Sequence, residues 1–197
     1  MNTMSAYKPH AVQEGPRKGL KAGVWMDGTF DWHSEQDSFT NHAGEVRTLI
    51  QAFTKSQVSF VTCTIKNNGR AFKYPKFVFQ YENILERQAV AFYSPPERAI
   101  LHMSQGSISL LGGTLKGQGI SQYCIQGKGN LYKNGCFKSL KDGILSYSPL
   151  AKGEVSSIFS LEAEIGPGEC AEAMAWVIHT PTKEEAQGLN EGLLRTL

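Results

Sequence analysis

At 197 residues with a net charge of +2 and a pI near 8.3, the chain carries no field strong enough to make nucleic acid or an anionic membrane its expected partner. A chain of this size buries roughly 70% of its unfolded surface as one domain, so neither a disulfide nor a metal is required for stability. Cys63, Cys124, Cys136 and Cys170 lie far apart with no CxxC pair, and no apolar run is long enough to span a bilayer, so free thiols in a soluble, cytoplasmic protein are expected.

Residues 1–20 hold Pro9, Gly15, Pro16, Arg17 and Lys18 with almost no apolar content, the composition of a flexible lead-in. A β domain is expected over 21–180. Asp27-Gly28 tolerates the positive φ angles of a type I′ turn, so the flanking segments form a tight hairpin. Trp25 then faces Phe30 and Gly23 faces Trp32, which puts three large rings on one face and leaves room at Gly23 beside the second indole. Ser34 to Gly44 is polar and is expected as a loop. Strands follow at 45–53, 58–66, 74–81, 88–93, 99–103 and 107–111, separated by turn residues at intervals of about ten, the mark of an antiparallel sandwich or barrel. From Gly112 to Gly153 the pattern is irregular. Its glycines read as hairpin turns, since no Gly-Lys-Ser/Thr follows to make a phosphate loop. Six lysines there meet one acid, Asp142, with Tyr123, Tyr132, Phe137 and Tyr147 interleaved.

The last stretch is the most regular. Val155, Ser157, Phe159, Leu161, Ala163 and Ile165 alternate with Glu154, Ser156, Ser160, Glu162 and Glu164, with only Ile158 breaking the pattern, a strand with one buried and one wet face. A turn at Gly166-Pro167-Gly168 is expected to close a hairpin that sets Ile165 against Cys170, with Cys170, Met174, Trp176 and Ile178 continuing the apolar surface. Thr182 and Glu185 make a capping box, and Ala186, Leu189, Leu193 and Leu197 recur at helical spacing, so a helix over 181–197 packs on the sandwich or on a partner.

The run from Gly23 to Trp32, then Ile65-Lys66-Asn67, Ala91-Phe92-Tyr93, Ala99 to His102, Asp142 to Ser146 and Gly153 to Ser157, comes in an order that resembles the amino-terminal domain of bacterial and archaeal glucoamylase- and glucodextranase-like enzymes of glycoside hydrolase family 15. Trp176-Val177-Ile178 and Glu184-Glu185 fit the segment that leads out of that domain. The resemblance spans nearly the whole chain from Lys21 and rests on the order of short motifs. It implies an all-β, antiparallel β-supersandwich of the galactose-mutarotase-like kind. It does not imply hydrolysis, because in that family the catalytic glutamates sit in a separate helical barrel after the closing helix. Compared with the family, the front looks trimmed, which would leave a sheet edge for pairing with another chain.

Sugar rings present flat apolar faces that stack on indoles and phenols, while their hydroxyls pair with polar side chains. The glycan-binding candidates are therefore Trp25, Trp32, His33, His102, Tyr132 and Lys141. The competing reading buries Trp25 and Trp176 in the core, packs His102 on its strand, and leaves the lysine–tyrosine run as a solvated edge. The five histidines show neither HxH nor HExxH spacing, so no metal and no cofactor is expected. The function expected is a non-catalytic, carbohydrate-associated module that binds a glucan or oligosaccharide or packs against a homodimer mate or a separate catalytic chain. Two alternatives stand beside it: a small epimerase-like enzyme using a histidine and an acid, and a protein-interaction domain without a sugar ligand.

Overall fold

The computed structural model describes residues 20–33, 38–40 (backbone), 45–82, 88–130 and 135–196. Most of the lead-in and of the 34–44 loop, Tyr132 and Leu197 lie outside these residues. The strands are β1 (Lys21–Met26), β2 (Thr29–His33), β3 (Ser38–Thr40), β4 (Val46–Lys55), β5 (Val58–Asn67), β6 (Lys76–Glu82), β7 (Ala89–Ser94) and β8 (Ala99–Ser104). They continue as β9 (Ser107–Leu115), β10 (Gln122–Gly127), β11 (Phe137–Ser139), β12 (Ile144–Leu145), β13 (Leu150–Gly153), β14 (Val155–Glu162) and β15 (Cys170–Thr180), with helix α1 (Lys183–Thr196) at the end.

A five-stranded sheet in the order β10-β14-β6-β1-β2 faces an eight-stranded sheet in the order β13-β7-β8-β9-β15-β5-β4-β3, and β11–β12 forms a separate ribbon. The strand pairs are antiparallel. Between the sheets lies one apolar core, built from every second residue of the long strands: Val24, Ile50, Cys63, Phe77, Phe79, Leu111, Phe159, Leu161, Ala175 and Val177 among them. The chain is thus an all-β antiparallel sandwich with a C-terminal helix, the class its strand spacing implies. Among the described residues no helix is long and apolar enough to cross a membrane, and all four cysteines are free.

The first hairpin forms as its turn residues require. Asp27 and Gly28 both take positive φ (52° and 87°), and Trp25 pairs with Phe30 and Gly23 with Trp32. The space at Gly23, however, goes to the diagonal ring: a Cβ there would come within 2.7 Å of Phe30, not of the indole.

Two expectations at the other end need correction. The face of β14 expected to be wet is covered. Ser156, Ile158 and Ser160 are buried, because the β11–β12 ribbon lies across this sheet and closes a small apolar layer of Val78, Cys136, Leu145 and Ile158 with Phe30, Trp32 and Phe137. Nor do β14 and β15 form a hairpin. Ile165 bridges Lys73 while Cys170 pairs with Lys66, so the Gly166–Gly168 turn carries the chain from one sheet to the other. An alternating strand pair has the same sequence pattern whether its apolar faces lie side by side or meet across a core, and here they meet across it.

The glycine-rich stretch is also more ordered than its composition suggests. Gly112 and Gly113 lie inside β9 rather than in a turn. Gly112 stands opposite Trp176, and a Cβ there would sit 2.5 Å from the indole Nε1; the absent side chain is the room the indole occupies. Trp176 is fully buried on the outer face of the large sheet, under α1. The helix starts where Thr182 Oγ1 accepts a hydrogen bond from the Glu185 amide (3.3 Å). It packs Ala186, Leu189 and Leu193 onto Trp176, Ile178, Leu101 and Leu110.

Candidate functional site

Three places gather side chains with chemical potential. The first is inside the sandwich. His102 on β8, Ser109 on β9 and His179 on β15 point inward from the large sheet, opposite Tyr81 on β6 and Ser157 on β14. His102 Nε2 and Ser157 Oγ share a 2.7 Å hydrogen bond whose direction follows the ring tautomer. Ser109 Oγ joins Tyr81 Oη (3.1 Å) and His179 Nδ1 (3.0 Å), and the Tyr81 ring meets His102 edge-on at 5.1 Å. Burial, with a smaller contribution from His179, pushes the His102 imidazole down to about 3, so the ring is neutral at ordinary pH. The His–Ser distance is one a nucleophile and its base would show. Yet His102 is 1% and Ser157 0% exposed, so the pair is enclosed and acts as the polar part of the core.

The second place is the outer side of the first hairpin. Trp25 is 8% exposed and donates from Nε1 to the Leu140 carbonyl (2.6 Å), while Lys76 Nζ lies 5.1 Å from its ring centre. Lys141 is exposed in the turn that covers this indole. Trp32 is half-buried against Phe30 (4.9 Å, edge-on), and Lys21 Nζ sits 4.6 Å over its ring. His33 ends the strand, half-buried. Trp25, Trp32 and the Lys141 turn are thus brought to one side of the small sheet, His102 lies in the interior, and Tyr132 lies outside the described residues. Both indoles are already in contact with a lysine, and Trp25 is sealed by backbone.

The third place takes two of its rings from the lysine–tyrosine run, which in sequence could meet an anionic or sugar ligand or form a solvated edge, and its third from β7. Tyr93 on β7 and Tyr123 on β10 stack face to face (4.3 Å, 12° between planes), and Tyr147 leans on Tyr123 from outside (5.5 Å, 54°). The row closes the flank where β10, the edge strand of the small sheet, meets β7 of the large one, next to its edge strand β13. The segment carrying Tyr147 is bound to both: the Ile125 amide of β10 donates to the Ser148 carbonyl (2.8 Å) and the Tyr93 amide of β7 to the Pro149 carbonyl (3.2 Å). Burial, then a hydrogen bond with Tyr147, pushes the Tyr123 phenol up to about 12. Tyr147 itself is 73% exposed. Positions 93, 123 and 147 have no periodic relation in sequence. Only Tyr123 and Tyr147 attract notice there, as rings among lysines.

Among the described residues, no group of three or more His, Cys, Asp or Glu is placed to hold a metal ion.

No protein-family model matches the chain, and no curated protein sequence matches it. Among solved structures, the chain is similar to a putative kojibiose phosphorylase from the human microbiome, at 10% identity and a TM-score of 0.43 over 91% of this chain and 21% of that one. It is also similar to a family GH92 inverting mannosidase from Bacteroides thetaiotaomicron VPI-5482, at 7% identity and a TM-score of 0.40 over 87% of this chain and 23% of that one. The chain therefore spans about a fifth of the length of either protein.

Proposed function

We propose that this chain is a non-catalytic, carbohydrate-associated β-sandwich module whose ligand is a glucan or other neutral oligosaccharide. The observation that carries this reading is the partition of its chemistry. The close imidazole–hydroxyl pair that a sugar-modifying site could use, His102 and Ser157, is sealed between the sheets at 1% and 0% exposure, while aromatic rings stand at the surface. A buried neutral histidine paired with a serine stabilises a polar core but meets no substrate. A surface ring can meet a sugar without any chemistry.

Calorimetric titration of the full chain with maltose, isomaltose and longer gluco-oligosaccharides, alongside product analysis by mass and anomeric NMR, tests it. Binding heat without conversion supports the module; conversion of any of these sugars overturns it in favour of the epimerase-like reading, and no heat with any of them overturns the carbohydrate link.

The second reading, a protein-interaction domain, rests on the outer face of the large sheet beyond α1. There Phe53 is 49% and Leu49 36% exposed, with Phe53 stacked on Phe60 at 4.9 Å. Sedimentation velocity over a range of concentrations reads it out as self-association that Phe53→Ser removes.

A further inference from the structure

We infer that Tyr147, seated on the Tyr93–Tyr123 pair, is the ring on which a neutral pyranose stacks. This rests on the carbohydrate-module reading and gives it a location. An exposed tyrosine on a mobile loop would lose rotamer freedom on binding, which weakens the complex. Tyr147 loses less. Its hydroxyl is engaged with Tyr123, its ring leans on the Tyr123 ring at 5.5 Å, and its backbone is bound to β10 and β7 one and two residues later. The row is therefore ordered before any ligand arrives, with the outermost ring uncovered.

The chemistry of the row selects the class of ligand. The row is built of phenols alone, and burial together with the Tyr147 hydrogen bond keeps Tyr123 protonated far above neutral pH, so the row offers no cation to an anionic group. An uncovered phenol face matches the apolar C–H face of a pyranose. Tyr93 and Tyr123 are half-buried, so one ring takes one sugar, and the expected affinity is in the millimolar range.

The test uses the full chain with maltotriose and isomaltotriose, following binding by calorimetry and the Tyr147 ring protons by saturation-transfer NMR. Tyr147→Ala is expected to weaken binding at least about tenfold, and Tyr147→Phe, which keeps the ring, to weaken it less. Tyr74→Ala, which removes another exposed tyrosine (58%), should leave affinity unchanged. Because Tyr147 is mostly solvent-exposed, the melting temperature of Tyr147→Ala stays close to that of the parent and separates loss of a contact from loss of the fold. If the parent binds a sugar and Tyr147→Ala binds it equally well, the location is wrong and the module reading stands. If the parent binds neither sugar, both fall.

Discussion

His102 shows how a single residue can be chemically suggestive and structurally silent. It sits in Ala99-Ile100-Leu101-His102, a run buried on both faces, so the alternation that would tell inside from outside is missing from the sequence. Its neutrality has a consequence for stability. The imidazole has a folded value of about 3 against an ordinary 6.5, so between those limits the unfolded chain holds a proton that the folded chain does not. Stability from this site is fully present above about pH 6.5 and is lost as pH falls towards 3, with a limiting slope of about 1.4 kcal/mol per pH unit for one proton. Replacing His102 with Asn should destabilise the protein at pH 7, through the lost Tyr81 and Ser157 contacts, and flatten the pH dependence of its urea midpoint between pH 4 and 6. An unchanged slope would mean that the ring is protonated inside the sandwich. In sequence Trp25 and Trp176 stood between core and glycan surface, and both are buried. Trp32 is half-buried under Lys21, which its own segment could not show because what covers it comes from the neighbouring strand.

Between α1 and the large sheet, the decisive contacts are polar and were hidden in an apolar pattern. Ala186, Leu189 and Leu193 mark the packed stripe from their spacing, but the residue that fastens the helix is Asn190, 2% exposed. It accepts from Trp176 Nε1 (3.0 Å) and donates to the Glu97 carbonyl (2.9 Å). The Glu97 carboxylate in turn takes hydrogen bonds from Ser94 and Gln187 and faces Lys183 (3.3 Å); despite burial, these contacts hold it below the usual carboxylate range. Asn190→Ala would leave an indole N–H and a carbonyl unpaired inside the protein, a loss of about 1–3 kcal/mol for each buried group. Asn190→Asp keeps the acceptor but loses the donor and buries a charge, so it should be at least as harmful. Urea denaturation followed by far-UV circular dichroism reads out both, and a midpoint for Asn190→Ala equal to the parent's would show that the helix docks without this bond. Gly112→Ala tests the same seam from the sheet side. Its Cβ meets a fully buried indole backed by the helix, so overpacking of about 1–3 kcal/mol is expected, whereas Gly106→Ala, with nothing within 4 Å, has only its positive φ to oppose it. No turn signal separates Gly112 from the chain's other glycines; its role is set by Trp176, sixty-four residues away in the sequence and directly opposite in the sheet.

Across the whole molecule, three layers of unequal strength are stacked: the ribbon, the small sheet, and the large sheet with its helix. β15 lies in the middle of the large sheet, paired on one side with β5 from Cys170 to Ile178 and on the other with β9 from Ala173 to Thr180, and its inner and outer faces belong to two different cores. The ribbon is held by two residue pairs with a register shift between them, by hydrogen bonds between its turn and backbone and the side chains of Trp25, Lys76 and Gln122, and by the small outer cluster. Periodicity made β4 to β9 and β14 to β15 legible, since long strands repeat one pattern. It could not show which sheet each joined, nor the third layer, because Phe137 and Leu145 gain their meaning only from Val78 and Ile158 beneath them. Local opening free energy follows such contact density, which fixes an order of hydrogen exchange. Amides of Phe137 to Leu145 should exchange first and those of Ala173 to Ile178 last, near the global unfolding limit. Phe137→Ala should speed exchange in the ribbon and in Ile158 while leaving β15 unchanged, because the inner core lies between them. Equal protection of ribbon and β15 in the parent, or faster exchange of β15 in the variant, would mean that the layers open as one unit and that the outer cluster is part of the main core.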